Sequence, residues 1–444
     1  MRNVLLSAAA FAALCAGRAD AAGFALKEQS ATAQGNAFAG ATAGAEDISY
    51  MFFNPAALGR MEKESEIMAV GNMIMPTLEL QAASARTAAG TPVTGSVPGR
   101  DLADDEATAA IYAAMKLGSD WRAGIGINAP FGMGTDYPDR WVGRYYATDS
   151  SVKAVGVTPV LAYTPLKGLT FGGGIQLSYA DASLSNAIDF GSIGAGAGIP
   201  GSIPGAQDGF ARVDGDDWNA GYTLGVLAEP IAGTRIGLGY RSKVEHKLKG
   251  DADFSLRGSP TGAALAGATG AFSDTGASAE LELPASASIG IHQEITDSFA
   301  VMAEAAWTNW SAFDELRIEF DNPAQPDSVT EHKWQDAWFL ALGATWRPAE
   351  AWVLRAGVAY DQTPVQGSYA TPRIPDGDRT WLSFGVGWVP LPWLSLDASF
   401  THIFVEDTDV SLRAADTGNA SRGDLDAEYD ASIDLLAVSA RVRF

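Results

Sequence analysis

The chain has 444 residues, with 30 Lys and Arg against 53 Asp and Glu, a net charge of −23. So large an acidic excess argues against nucleic acid and anionic lipid surfaces as partners. The single cysteine, Cys15, offers no disulfide, and no apolar run reaches the roughly 18 to 20 residues that a membrane helix needs.

Residues 1–21 read as a secretory signal peptide. Arg2 gives the positive start, Val4–Ala16 the apolar stretch, and Ala19-Asp20-Ala21 the cleavage site, so Cys15 leaves with the leader. Residues 22–62 hold no sustained period-2 alternation and are rich in Gly, Ala and Ser, which is poor strand material. Short helices and turns fit better, with Asp47 and Ser49 placed to cap them and Asn54-Pro55 ending the segment. Read alone, this stretch fits either a plug inside a barrel or an N-terminal subdomain.

From residue 63 to 444 the sequence alternates. Phe171, Ile175, Leu177 and Tyr179 share one face, with Gly172, Gln176 and Ser178 on the other. The same pattern predicts strands at 65–80, 106–117, 121–130, 151–164, 168–183, 216–229, 235–250, 279–292, 299–311, 334–347, 352–363, 379–389, 393–405 and 431–444. Their connections alternate short and long. That rhythm, with an even strand number, predicts an all-β, fourteen-stranded antiparallel transmembrane barrel rather than a soluble sandwich. Trp121, Tyr163, Trp346, Trp352 and Trp388 fall beside the short turns, as an interfacial girdle would. The last strand ends in alternating apolar residues and Phe444, the pattern that barrel-assembly machinery reads.

AGFALKEQS followed by NPA, YRSKVEHKLKG, WTNWSAFDELRI, DAWFLALGATW, LRAGVAYDQTPV and RIPDGDRTWLSFG are similar, in order, to blocks of one family. The chain resembles the FadL/TodX-type outer-membrane channels for long-chain fatty acids and other hydrophobic compounds. The resemblance implies a barrel at 63–444 plugged by a partly helical hatch at 22–62, in the outer membrane of a Gram-negative bacterium. It implies passive uptake: pocket binding, hatch rearrangement, and lateral release through a kink in strand 3. Outer-membrane lipid and lipopolysaccharide would surround it, and no cofactor or metal is expected.

The resemblance places Phe24 and Leu26 where the hatch meets ligand, Asn54 and Pro55 where it is held, and Pro130, Phe131 and Gly132 at the lateral opening. Pro130 alternatively marks only a strand end. For a carboxylate, Arg355 is on the inward phase of strand 11, and Arg241 and Lys243 on that of strand 7; each could instead pair with an acid such as Glu304 or Asp361. Asp181, read as a lumen position, falls where fatty-acid-transporting relatives tend to carry a base, which gives weight to uncharged or aromatic hydrocarbons. No hydrolase motif occurs, so catalysis is not expected. A lipid hydrolase using His402, an open porin and a purely structural barrel remain the rivals, and Asp208, Asp214, Asp216 and Asp217 read as a solvated acidic loop.

Overall fold

The computed structural model describes residues 23–444; the expected leader lies outside the described residues. Nineteen strand segments form one antiparallel sheet, closed where β1 (Ser65–Arg86) pairs with β19 (Asp424–Arg443). Five staves are split in two, so the wall is a fourteen-strand barrel. Closure gives every stave a neighbour on both sides, which strands in hydrocarbon require. Exposed Leu, Ile, Val and aromatic side chains cover the outside. Trp121 stacks on Tyr163, and Trp352 on Trp388, beside the short turns.

The splits change which way side chains point. In β7 (Thr234–Arg241), Ile236, Leu238 and Tyr240 face outward; after Ser242-Lys243, β8 (Val244–Ser255) buries Val244, His246 and Leu248 instead. The next stave does the same: β9 (Thr275–Leu283) buries Leu281 and Leu283, whereas β10 (Ser286–Thr296) exposes Ile289 and Ile291. Pro284 sits at that break, where its missing N–H costs the ladder nothing. The single apolar face expected over 279–292 is therefore corrected to two opposite faces.

β3 runs Trp121–Asp136, past the expected end at residue 130. Its pairing with β2 (Glu106–Lys116) stops at Ile111–Ile127, and its register with β4 (Asp149–Leu166) slips between Asn128 and Phe131. Pro130 is thus in a bulge inside the strand, not at its end.

Residues 23–61 fold inside the wall. Ser30 caps the helix α1 (Ala31–Gly35), Asp47 caps the 3-10 turn Ile48–Phe52, and Asn54 caps the turn Pro55–Arg60. Asn54-Pro55 begins a turn rather than ending the segment, because proline at the first helical position loses no bond. The wall is shaped to this insert: a Cβ at Gly225 would collide with the Asn54 side chain, and one at Gly357 with the Asn36 carbonyl.

Candidate functional site

The start of the inner segment extends the wall. Leu26 N–H donates to the Pro130 carbonyl at 2.8 Å, and Gly132 N–H to the Phe24 carbonyl at 2.9 Å, while Ala25 bridges Phe131. Gln29 adds a side-chain bond to the Ala129 carbonyl at 2.8 Å. The segment therefore fills hydrogen-bonding positions that β3 leaves open once β2 has stopped pairing.

This pairing puts Phe24 at the centre of an aromatic cage. Its ring centroid is 4.8 Å from Trp310, 5.8 Å from Phe313, and 5.9 Å from both Phe131 and Trp334. The contacts with Trp310 and Phe313 are edge-to-face, and such packing exceeds what buried area alone gives, by roughly 0.5–1.5 kcal/mol per pair. Trp310, Phe313 and Trp334 had not been singled out. The sequence signal was the spacing of three in Trp307, Trp310 and Phe313, which breaks the period of two: β11 (Phe299–Thr308) ends there and a 3-10 turn, Trp310–Ala312, swings Trp310 inward.

Three cavities line up along the lumen. Above Phe24 is an apolar pocket of about 70 Å³, lined by Met133, Val152, Leu184, Leu248, Leu281 and Ile318 among others. It shares Leu184, Val213, Leu316, Ile318 and Arg373 with an outer cavity of about 470 Å³. Below Phe24 an inner pocket of about 120 Å³ is lined by Leu26, Phe38, Phe53, Pro130, Phe131 and Phe339, with two cations, Lys27 and Arg241, and one acid, Glu304. An apolar lining with few polar groups is what a hydrophobic ligand requires.

The expected cations separate into three kinds. Arg241 lies over the Phe52 ring at 4.1 Å, donates to the Phe52 carbonyl at 2.7 Å and to Gln176 Oε1, and faces the inner pocket. Arg355 is committed: Nη2 meets Glu46 and Nη1 meets Asp397, both at 2.9 Å and nearly buried. That pairing, with acids other than Glu304 or Asp361, ties the inner segment to the wall. Lys243 is corrected to an outward position, bonded to Glu245 and, at 3.0 Å, to Glu282, because the β7–β8 break reverses the phase. Lys27, its ammonium 4.2 Å above the Phe339 ring, is the pocket cation that strand phase could not reveal, since it stands on the inner segment.

Asp181 also faces outward. In β5 (Leu169–Asp189) it follows Leu177 and Tyr179 on the outer side, while Ala182 and Leu184 line the pocket. The alternation expected for 168–183 continues unbroken, and Asp181 was misassigned to its inner face. Asn54 Nδ2 donates to the carbonyls of Thr42 at 2.8 Å and Val226 at 3.0 Å, and Pro55 packs beside Gly172 and Gly225. His402 pairs with Asp434 at 2.7 Å on the barrel exterior. Asp208 is bound by Arg144 at 2.7 Å and Asp214 by Arg212 at 3.1 Å.

A family model for outer membrane protein transport proteins (OMPP1/FadL/TodX) matches residues 12–444. A putative outer membrane protein of Neisseria meningitidis serogroup B is 30% identical over 465 residues, covering 100% of this chain and 98% of the relative. The long-chain fatty acid transport protein of Escherichia coli O6:H1 is 28% identical over 415 residues, covering 88% and 89%. Among solved structures, a Pseudomonas aeruginosa FadL homologue superposes with a TM-score of 0.86 at 26% identity, covering 95% of this chain and 100% of that one. The Ralstonia pickettii toluene transporter TbuX shares the fold, with a TM-score of 0.67 at 18% identity over 94% and 99%.

Proposed function

The chain belongs to the OMPP1/FadL/TodX family of outer-membrane transport proteins, and from that premise we propose that it takes up long-chain fatty acids passively and releases them sideways into the membrane. The observation that carries this reading is the stacked arrangement about Phe24: an apolar pocket above it, and a pocket with Lys27 and Arg241 below, against the bulge of β3. An acyl chain gains about 0.8 kcal/mol for each CH₂ kept from water. A route from pocket to lipid through the gap beside β3 preserves that gain, whereas a water-filled pore would lose it.

Leu26, Phe24 and Gly132 hold the gap shut by only a few backbone bonds. Movement of residues 23–30 would open it without disturbing the rest of the wall. The inner segment acts as the hatch in this reading, with Phe24 and Leu26 against the ligand and Pro130, Phe131 and Gly132 at the exit. Uptake of uncharged hydrocarbons by the same route is the second reading, favoured by the mainly apolar lining of the middle pocket; the outward position of Asp181 removes the acid that had supported it.

The test is growth of a bacterium lacking its own fatty-acid channel, carrying this protein, on oleate or on hexadecane as sole carbon source. Growth restored on oleate, and lost when Ala25 and Phe131, which pair across the gap, are both changed to Cys and joined by an engineered disulfide, supports the proposal. Restoration on hexadecane alone moves the assignment to hydrocarbons, and uptake undiminished by the bridge rules out lateral release.

A further inference from the structure

The inner pocket is not apolar all round. Besides the residues at the β3 exit it is lined by Thr42, Ser286, Ser288, Glu304 and Thr308. Glu304, on β11, is only 6% exposed. Its Oε2 accepts the Thr42 N–H at 3.1 Å, and its Oε1 accepts the Thr42 hydroxyl, which is itself 2.8 Å from Ser288 Oγ. Its cross-strand neighbours, Gly290 and Ala341, carry no charge, and a Cβ at Gly290 would collide with the carboxylate. Two oxygens that both accept, one of them from a backbone N–H that cannot reverse, mark the carboxyl of the empty pocket as ionised.

The charges that share this pocket with Glu304 are Lys27 on the inner segment and Arg241 on β7. Arg241 is already committed to Gln176 and to the ring and carbonyl of Phe52. Lys27 makes no ion pair among the described residues and rests over the Phe339 ring. A fatty-acid head entering here gives two carboxylates to one uncommitted ammonium. Two carboxylates at close range hold a proton between them, because both cannot stay ionised. That proton also meets the requirement of the exit: a carboxylate carried into hydrocarbon costs far more than a neutral acid.

We propose that Glu304 makes the fatty-acid head leave the pocket as the neutral acid. The head arrives as a carboxylate beside Lys27, and one proton enters with it from water to lie between the head and Glu304. An O–H bond then forms on the ligand, which passes Pro130 and Phe131 uncharged, and Glu304 is left ionised with its Thr42 bonds as before. One carboxylate and one proton go in, and one carboxylic acid comes out. The inference rests on the fatty-acid reading above and adds the step by which a charged head crosses into lipid.

Purified full-length protein is loaded with oleate, isotope-labelled at the carboxyl carbon, at about pH 8, where a carboxyl in water is ionised. Infrared spectra of the label then separate bound acid from bound carboxylate. The wild type is expected to show the acid band, and Glu304→Gln the carboxylate band alone, with Glu304→Asp restoring part of the acid. Glu304→Gln should also hold oleate about tenfold tighter, since a like charge is gone, yet support uptake about tenfold more slowly, since the head stays charged. Oleyl alcohol, which has the same chain and no charge, is the control for an intact pocket. Wild-type oleate bound wholly as carboxylate, a glutamine variant with the wild-type spectrum, or a variant that loses acid and alcohol alike overturns the role of Glu304 and leaves the fatty-acid reading standing. A wild type that binds the alcohol and no oleate sinks both.

Discussion

Gly23 shows how tightly the leading residues are held. Its φ of +61° favours glycine, and an added Cβ would come 2.8 Å from Trp310 and 2.9 Å from Trp334. Gly23→Ala should weaken docking of the segment by about 1–3 kcal/mol, read as faster amide exchange at Leu26 and Gly132 with the rest of the barrel unchanged. His332 makes a separate prediction. It is buried in the outer region, stacked on Phe313 at 4.6 Å, and burial together with Arg373 and Arg422 holds its pKa down to about 3. An unfolded histidine protonates near 6.5, so between about pH 6.5 and 3 the unfolded chain binds the extra proton. The stabilising effect of this neutral ring is therefore full above pH 6.5 and is lost as the pH falls toward 3. Urea unfolding in vesicles at pH 7 and pH 4.5 should show a drop in midpoint that His332→Phe reduces.

At the scale of elements, the ion triad of Glu46, Arg355 and Asp397 is what fastens the inner segment at its far end. Removing one partner leaves a buried charge uncompensated, so Arg355→Ala should cost about 3–5 kcal/mol. The inner segment would loosen before the wall, and planar-bilayer recordings should show conductance steps rare in the wild type. Asn54→Ala should act the same way more weakly, by about 1–3 kcal/mol, by stranding the Thr42 and Val226 carbonyls. These elements also show what the sequence made legible. Period-2 alternation located the staves and the short turns, because lipid on one side and a filled lumen on the other enforce it. It misleads at two of the split staves, putting Lys243 inside and Leu281 and Leu283 outside. A break of one or two residues inverts every later side chain, and only pairing with neighbouring strands reveals it. Lys27 escapes the strand phase for another reason: it stands on the inner segment, where no periodicity says which way a side chain turns.

Across the whole molecule, the apolar exterior sets how the protein sits in the membrane. Leu342 is 63% exposed in β14 (Ala337–Ala349), midway between Trp338 and Trp346. A position midway between these two tryptophans lies near the bilayer centre, so Leu342→Arg should cost about 2–4 kcal/mol. The loss should appear in vesicles as a lower unfolding midpoint and be smaller in detergent, where the charge reaches water. Substitution at Asp426, exposed on the extracellular part of β19, should cost far less.

The wall is sealed by its first and last strands, from Glu66–Arg443 to Arg86–Asp424. Synthesis delivers residues 23–61 before the sealing strand, so nothing encloses them until β19 has been made. A chain cut short by its final twenty residues would keep every contact of the filling with the other staves, yet be left as an open trough. Assembly of such a protein is a single late event, and its rate should respond to changes in β1 and β19 far more than to changes in the outer loops.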